Sequence, residues 1–341
     1  MIYRKVNEPF TELCFPQMNT SCRKKFQHYA TNVFLYILLS SITVLTVCLN
    51  LLVIISISHF RQLHTSTNLL LLSLAVSDFL VGLLLMPVQI LLKEGCWVLG
   101  SLTCRLFYYV SFVLPSASVG NMVLISVDRY VAICDPLHYS TKVTLNRVKV
   151  SVGLCWACSV LYNGVILNVF LKHPDRYNSC YGECVAVINF LTGALDGVLT
   201  FIGPISVIIT LYMKVFVVAV SQARALRSHT AAVKVQNSVH VSANKSERKA
   251  ARTLGVVVVV FLICFCPYFY PSIAGQDVSS NVEFSVFGIW LVCSNSCLNP
   301  LIYAFFYPWF RKCIRQIVTL QILHSNKDFL LLLHARIKYE K

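Results

Sequence analysis

Residues 33–58 read VFLYILLSSITVLTVCLNLLVIISIS and contain no charged side chain. A helix of that length rises about 39 Å, which exceeds the roughly 30 Å hydrocarbon core of a bilayer. Six more uncharged or nearly uncharged runs follow in the chain, at 69–92, 106–127, 150–171, 185–213, 253–276 and 284–310. Transmembrane β-strands would be near 10 residues long with alternating polarity. The sequence therefore predicts an all-α membrane protein, a seven-transmembrane helix bundle.

The composition agrees with this fold class. Hydrophobic residues make up 57% of the chain and charged residues 13%, against about 25% charged in soluble domains. Of the 29 Lys and Arg, 20 lie in the connections after the first, third and fifth runs and in the C-terminal tail. Because cytoplasmic loops collect these residues, we expect an extracellular N-terminus and a cytoplasmic C-terminus. The +15 net charge is scattered over separate loops, so nucleic-acid binding is not expected.

The runs divide the chain into three parts. Residues 1–32 are predicted to be an extracellular N-terminus without a removable signal peptide, and residues 33–310 a seven-helix transmembrane domain. Residues 311–341 are predicted to form a short amphipathic cytoplasmic helix 8 and a tail. Trp309, Phe310, Ile314 and Ile317 share one face of that segment, which is typical of a helix contacting membrane lipids at the inner surface.

Two features belong to the outer side in this orientation. Asn19 begins the glycosylation sequon "NTS". Cysteines on that side can form persistent disulfides. A zinc site within "CYGEC" (180–184) is the less favoured alternative, because no histidine is adjacent in sequence. The six cysteines predicted outside are Cys14, Cys22, Cys96, Cys104, Cys180 and Cys184.

Ionisable residues inside a membrane span are candidates for function, because they are expensive to bury. The runs hold no Lys or Arg and only two acids, Asp78 and Asp196. Near the depth of Asp78, Ser118, Asn295, Ser296 and Asn299 offer oxygen ligands, and such a cluster suits a sodium ion. A hydrogen-bonded cluster without an ion is the alternative.

A second charged group lies at the cytoplasmic ends of two helices. Asp128, Arg129 and Tyr130 end the third helix, and Glu247 begins the sixth. A pair between Arg129 and Glu247 would tie these helix ends together, and breaking it would let the sixth helix move outward. An ordinary interfacial salt bridge is the alternative.

Prolines interrupt three successive helices. Each removes one backbone hydrogen bond and permits a kink, which membrane helices tolerate. Three in neighbouring helices suggest movable parts. They are Pro204, Pro267 and Pro300.

Several motifs together resemble a known family. "DRYVAICDPLHY" (128–139), "CFCPYF" (264–269), "NPLIY" (299–303) and the cysteines at 104 and 184 resemble the rhodopsin-like (class A) G-protein-coupled receptors over the whole chain. "SERKAARTLG" (246–255) and "NSCLNPLIYAFFYPWFRK" (295–312) further resemble the trace amine-associated receptors.

The resemblance implies a receptor in the plasma membrane, with an amine ligand and a heterotrimeric G protein of the Gs or olfactory type as partners. It also implies two disulfides, Cys104–Cys184 and Cys22–Cys180. The residues that it assigns to switching and G-protein coupling are Asp128, Arg129, Tyr130, Glu247, Pro267, Asn299, Pro300 and Tyr303.

The chain departs from the usual amine-receptor pattern at four positions. Ser111 stands where these receptors usually carry an aspartate in the third helix. Phe265 replaces the usual Trp, Leu49 the usual Gly and Cys293 the usual Tyr. These differences resemble a branch of fish receptors that lost the third-helix acid and carry one in the fifth helix.

Asp196 is then the predicted counter-ion of the ligand ammonium. Counted from residue 186, it lies about 15 Å along the fifth helix. Two other interpretations stay open: Asp196 faces a hydroxyl of a neighbouring helix, or it is protonated and silent. The residues predicted to contact the ligand are Asp196, Ser111, Phe112, Phe265, Tyr268 and Phe269, the aromatic ones through cation–π contact or as ordinary packing.

Other functions find less support in the sequence. A biogenic amine receptor, or a class A receptor for a ligand that is not an amine, is the alternative within the family. An ion-coupled transporter would need an intramembrane acid–base relay or inverted repeats. No nucleophile–base or metal constellation indicates an enzyme.

Overall fold

The computed structural model describes residues 12–24, 29–93, 95–173, 176, 178–186, 189–230, 255–270, 282–306 and 308–319. Six helices are long and apolar enough to cross a membrane, and a shorter apolar helix spans Gly255–Tyr270. The predicted all-α bundle is confirmed. In chain order the helices are α1 (Tyr29–His59), α2 (Ser66–Leu92), α3 (Gly100–Cys134), α4 (Leu145–Ile166), α5 (from Phe190 to Thr230), α6 (Gly255–Tyr270), α7 (Val282–Phe306) and α8 (Pro308–Val318).

The start of α5 corrects the sequence prediction. The apolar run begins at residue 185, but the helix begins at Phe190, because the side chain of Asn189 accepts a hydrogen bond from the Thr192 N–H at 2.8 Å. Asn is favoured at this position since its side chain satisfies an N–H that lacks a helical partner. Asp196 therefore lies six residues, or about 9 Å, beyond the first residue of α5 rather than about 15 Å along it.

Two helices contain a wider, π-helical stretch. One covers Val81–Leu85 in α2 and the other Gly197–Ile202 in α5. Such insertions are rare and are often found at functional sites. The stretch in α5 follows Asp196 directly.

The bundle is assembled around α3, which packs against α2, α4 and α5, while α1 packs against α2, α7 and α8. At two of these contacts a glycine lies close to a side chain of the neighbouring helix. A Cβ atom at Gly82 would lie 2.9 Å from Thr46 Cγ2, and one at Gly120 would lie 2.4 Å from Cys155 Sγ. Small residues allow membrane helices to approach closely, and a larger side chain at either position would require its neighbour to shift.

Helix α8 is the predicted amphipathic segment. Phe310 is fully buried and Cys313 is buried, whereas Arg311 and Lys312 are exposed. Burial raises the pKa of the Cys313 thiol to about 11. The apolar face of α8 thus packs against the bundle and its basic face is accessible.

Three disulfides shape the outer side. Cys104 is joined to Cys184 and Cys22 to Cys180, the pairs that the resemblance implies. A third bridge, Cys14–Cys96, joins the N-terminal segment to the connection between α2 and α3, and the sequence analysis did not pair these cysteines.

Two of these bridges hold residues 12–24 covalently to the rest of the protein. The backbone of Leu13 pairs with that of Arg23, and Ser21 pairs with Tyr181 of the loop before α5. Asn19 is exposed at the turn of this segment. The N-terminal segment is therefore fixed to two separate loops.

We expect loss of the third bridge to destabilise the protein. Cys14→Ser and Cys96→Ser should each lower the thermal unfolding temperature of detergent-solubilised protein, because removing a native disulfide costs about 2–5 kcal/mol. The double variant should be no less stable than either single variant, since all three lack the same bond. Cys48→Ser, at a free cysteine exposed on α1, is the matched control and should change little. Additive losses in the double variant would contradict the bridge.

Candidate functional site

A small, partly open cavity lies between α3, α5 and α6. All six residues predicted to contact a ligand line it. Among its lining residues Asp196 is the one acidic residue. The lining residues are Ser111, Phe112, Pro115, Ser116, Val119, Asp196, Thr200, Phe265, Tyr268 and Phe269.

Helical periodicity explains why these residues share a cavity. Residues three or four positions apart lie on one helix face. Phe265, Tyr268 and Phe269 have this spacing on α6, and Asp196 and Thr200 have it on α5. Each helix thus presents one face to the same space.

The Asp196 carboxylate has a donor from another helix. The Tyr162 hydroxyl of α4 donates a hydrogen bond to Asp196 Oδ1 at 3.1 Å. The Thr200 hydroxyl donates to the main-chain oxygen of Asp196 at 2.7 Å, within the π-helical stretch. The hydroxyl contact that the sequence left open is therefore present, and the half-buried carboxylate also lines the cavity.

The aromatic wall is held by ring contacts. Phe265 stacks on Phe261 with ring centroids 4.2 Å apart, and Phe269 stacks on Phe201 of α5 at 4.4 Å. Tyr268 meets Phe269 edge to face at 5.0 Å. These rings pack in the core and line the cavity at once, so the packing and ligand interpretations are compatible.

The two serine hydroxyls that α3 contributes to the cavity wall both make hydrogen bonds within the protein. Ser111 Oγ donates to the Phe107 carbonyl at 2.7 Å, the backbone bond that a helical serine often makes. Ser116 Oγ accepts from Asn163 Nδ2 of α4 at 3.1 Å. The wall that α3 contributes is thus uncharged.

The second predicted cluster surrounds Asp78, which is buried. Its carboxylate accepts from Ser296 Oγ and from Asn299 Nδ2 of α7, both at 2.8 Å. Ser118 Oγ donates instead to Ser77 Oγ at 3.1 Å, so it is not a direct partner of Asp78.

Two oxygen atoms near Asp78 are left without a donor by the described residues. Among the described residues, the buried oxygens Asn295 Oδ1 and Asn299 Oδ1 have no hydrogen-bond partner. Sodium prefers oxygen ligands. Asp78, Asn295 and Asn299 are the residues that would hold it.

The third cluster lies at the C-terminal end of α3, which is predicted to be cytoplasmic. Arg129 Nε donates to Asp128 Oδ2 at 2.9 Å, and these side chains are only 12% and 2% exposed. Tyr139 of the following loop donates to Asp128 Oδ1 at 2.8 Å, and Thr67 of α2 donates to Oδ2 at 2.9 Å. Glu247, the other predicted partner of Arg129, lies outside the described residues.

The other residues predicted to act in switching lie at separate positions in the bundle. The Lys214 ammonium of α5 lies 5.8 Å from the centre of the Tyr130 ring. Pro267 lies in α6, whereas Pro300 and the buried Tyr303 lie in α7. They line no part of the cavity.

Three polar residues in or behind the cavity wall are not among the predicted ligand residues. Tyr162 is one tyrosine within an apolar helix, and nothing in its spacing marks it. Thr200 and Ser116 carry a detectable signal, because each stands four or five residues from a predicted lining residue on the same helix.

Comparisons with known proteins agree with this arrangement. Residues 49–303 match the family described as 7 transmembrane receptor (rhodopsin family). The chain is 39% identical over 327 residues to trace amine-associated receptor 13c of Danio rerio, covering 93% of this chain and 95% of that one. It is 38% identical to trace amine-associated receptor 7d of Mus musculus, covering 93% and 91%. For mouse trace amine-associated receptor 1 the identity is 35%, covering 93% and 98%.

Proposed function

The chain belongs to the rhodopsin family of seven-transmembrane receptors and, within it, to the trace amine-associated receptors, and from this we propose that it binds an amine ammonium at Asp196. It is a multi-pass membrane protein and a receptor, not an enzyme. We further propose that it lies in the plasma membrane with its N-terminus outside, and that it signals through a Gs-type olfactory G protein.

The observation that carries the proposal is the single charge in the cavity wall. An ammonium enters a low-dielectric site only if a counter-charge offsets its lost hydration. Asp196 is the acid among the lining residues, and the same wall contains three aromatic residues of α6. A cation near these rings gains a further 0.5–2 kcal/mol or so.

The orientation of the ligand follows from where the charge stands. Ser111 of α3 carries no charge and its hydroxyl is bonded to its own helix. The ammonium is therefore directed towards α5 and the hydrocarbon part towards Phe112 and the aromatic residues of α6. This supports placement with the fish receptors that carry the acid in the fifth helix.

The cytoplasmic cluster supports the signalling half of the proposal. Arg129 is held against Asp128 in a nearly buried pair. In our proposal α6 moves outward on activation, and Arg129 then turns from Asp128 and Glu247 to the G protein. The packed helices would then switch between two discrete arrangements instead of deforming continuously.

Asp196→Asn should raise the half-maximal concentration of an amine agonist by about 100-fold or more, because removing one member of a buried pair costs about 3–5 kcal/mol. Cyclic AMP is measured in cells challenged with 2-phenylethylamine, N,N-dimethylcyclohexylamine and other primary to tertiary amines. Glu183→Gln, at an acid of the outer loop that does not line the cavity, is the control.

Two results would contradict the amine site. One is an unchanged amine response in Asp196→Asn at equal surface expression. The other is an equal response of the unmodified receptor to uncharged 2-phenylethanol, which would indicate a receptor for ligands that are not amines.

Variants of Asp128 and of Arg129 should change signalling in opposite directions. Asp128→Asn should raise agonist-free cyclic AMP a few-fold, since Arg129 loses the charge that holds it, and Glu247→Ala should act in the same direction. Arg129→Ala should abolish coupling. Basal cyclic AMP is normalised to surface receptor, and equal losses of surface protein without a basal signal would indicate a purely structural salt bridge.

A sodium ion at Asp78 should make the response depend on the cation in the medium. An ion held by α2 and α7 resists their separation, so replacing sodium with potassium at constant ionic strength should lower the agonist half-maximal concentration several-fold. Asp78→Asn should remove this difference. A cation effect that persists in Asp78→Asn would place the ion elsewhere.

A further inference from the structure

Tyr162 contacts the charged group of the cavity without lining the cavity itself. It belongs to α4, whereas the lining residues belong to α3, α5 and α6. Its hydroxyl lies 3.1 Å from Asp196 Oδ1 and donates to it. No predicted ligand residue lies on α4, so this contact belongs to none of the roles assigned above.

The next residue fixes α4 against α3. Asn163 is fully buried, and its Nδ2 donates to Ser116 Oγ at 3.1 Å and to the Ser159 carbonyl at 2.8 Å. Tyr162 thus bonds to Asp196 of α5, and Asn163 bonds to Ser116 of α3. The Tyr162 hydroxyl is therefore held at a defined position relative to both cavity walls.

A carboxylate near a helix end has two rotatable bonds and samples several rotamers. A hydrogen bond to one oxygen selects a rotamer and leaves the second oxygen for another donor. A hydroxyl that donates to a carboxylate also stabilises the charged form, which is the form that an ammonium must meet. Preorganisation of this kind lowers the ordering cost of binding.

We propose that Tyr162 is a positioning residue for Asp196: its hydroxyl holds the carboxylate in one orientation in the cavity wall, so that the free oxygen accepts the ammonium. This rests on the proposed function, because it concerns the same carboxylate. Tyr162 therefore acts on amine affinity from behind the cavity wall and does not touch the ligand.

The test compares two tyrosines that each make one hydrogen bond at the outer part of α4. Tyr109 of α3 donates to the Val160 carbonyl of α4 at 2.9 Å and does not line the cavity. Tyr162→Phe should raise the half-maximal concentration of 2-phenylethylamine, or of whichever panel amine is most potent, by about 10-fold. That equals about 1.4 kcal/mol, the scale of a hydrogen bond to a charged group. Tyr109→Phe should change it less than about 2-fold.

Maximal cyclic AMP and surface expression separate positioning from folding. Both should match the unmodified receptor in Tyr162→Phe, because the bundle keeps its other contacts. A half-maximal concentration that is unchanged or lower overturns the proposal, since the hydroxyl would then be idle or would compete with the ammonium. A loss shared equally by Tyr109→Phe also overturns it.

A second background tests whether Tyr162 acts through Asp196. Asp196→Glu keeps the charge but displaces the carboxylate by about one methylene, or roughly 1.5 Å. In that background Tyr162→Phe should cost less than about 3-fold, whereas a structural role would cost the same 10-fold in both. If Asp196→Glu gives no response, the comparison with Tyr109→Phe decides.

The outcome for Asp196→Asn distinguishes the two proposals. If Asp196→Asn loses the amine response while Tyr162→Phe behaves as the unmodified receptor, only the role of Tyr162 is wrong. If Asp196→Asn responds normally, the amine site itself is wrong.

Discussion

A carboxylate inside a membrane span must find a donor on the protein, because lipid supplies none and burying an unpaired charge costs several kcal/mol. Three aspartates of the described helices, two within the spans and one at the end of α3, have donors from another segment of the chain. Each one consequently ties two parts of the bundle together. Asp78 of α2 is held from α7, Asp128 of α3 from α2 and the loop after α3, and Asp196 of α5 from α4.

The span composition made the fold predictable. A run of more than about 20 apolar residues indicates a transmembrane helix, because a single segment can satisfy its own backbone within lipid only as a helix. The helix boundaries and irregular turns were harder to predict from the sequence. Neither the start of α5 at Phe190 nor the π-helical stretch at Gly197–Ile202 changes the hydropathy of the run. They depend on a single capping side chain and on a shifted hydrogen-bond register.

The candidate site was predictable to the extent that it follows from one helix at a time. The spacing on α6 places Phe265 and Phe269 on one face without knowledge of the neighbouring helices. Tyr162 and the Cys14–Cys96 bridge depend instead on which segments become neighbours. The sequence did give a partial indication of this bridge. Six cysteines are predicted outside and the resemblance pairs four of them, so only Cys14 and Cys96 remain to pair with each other.

Moving the charge from α3 to α5 changes which helices a ligand can act on. At Ser111 an acid would tie the ammonium to the central helix, whereas Asp196 stands on α5, bonded to α4 and followed directly by a π-helical stretch. α5 runs on to the cytoplasmic side, where Lys214 lies over the ring of Tyr130, beside Arg129. An ammonium bound at Asp196, as proposed, would therefore act on the helix that connects the cavity with the cytoplasmic cluster. The π-helical stretch that follows Asp196 lies on this same helix, and such stretches are frequently found at functional sites.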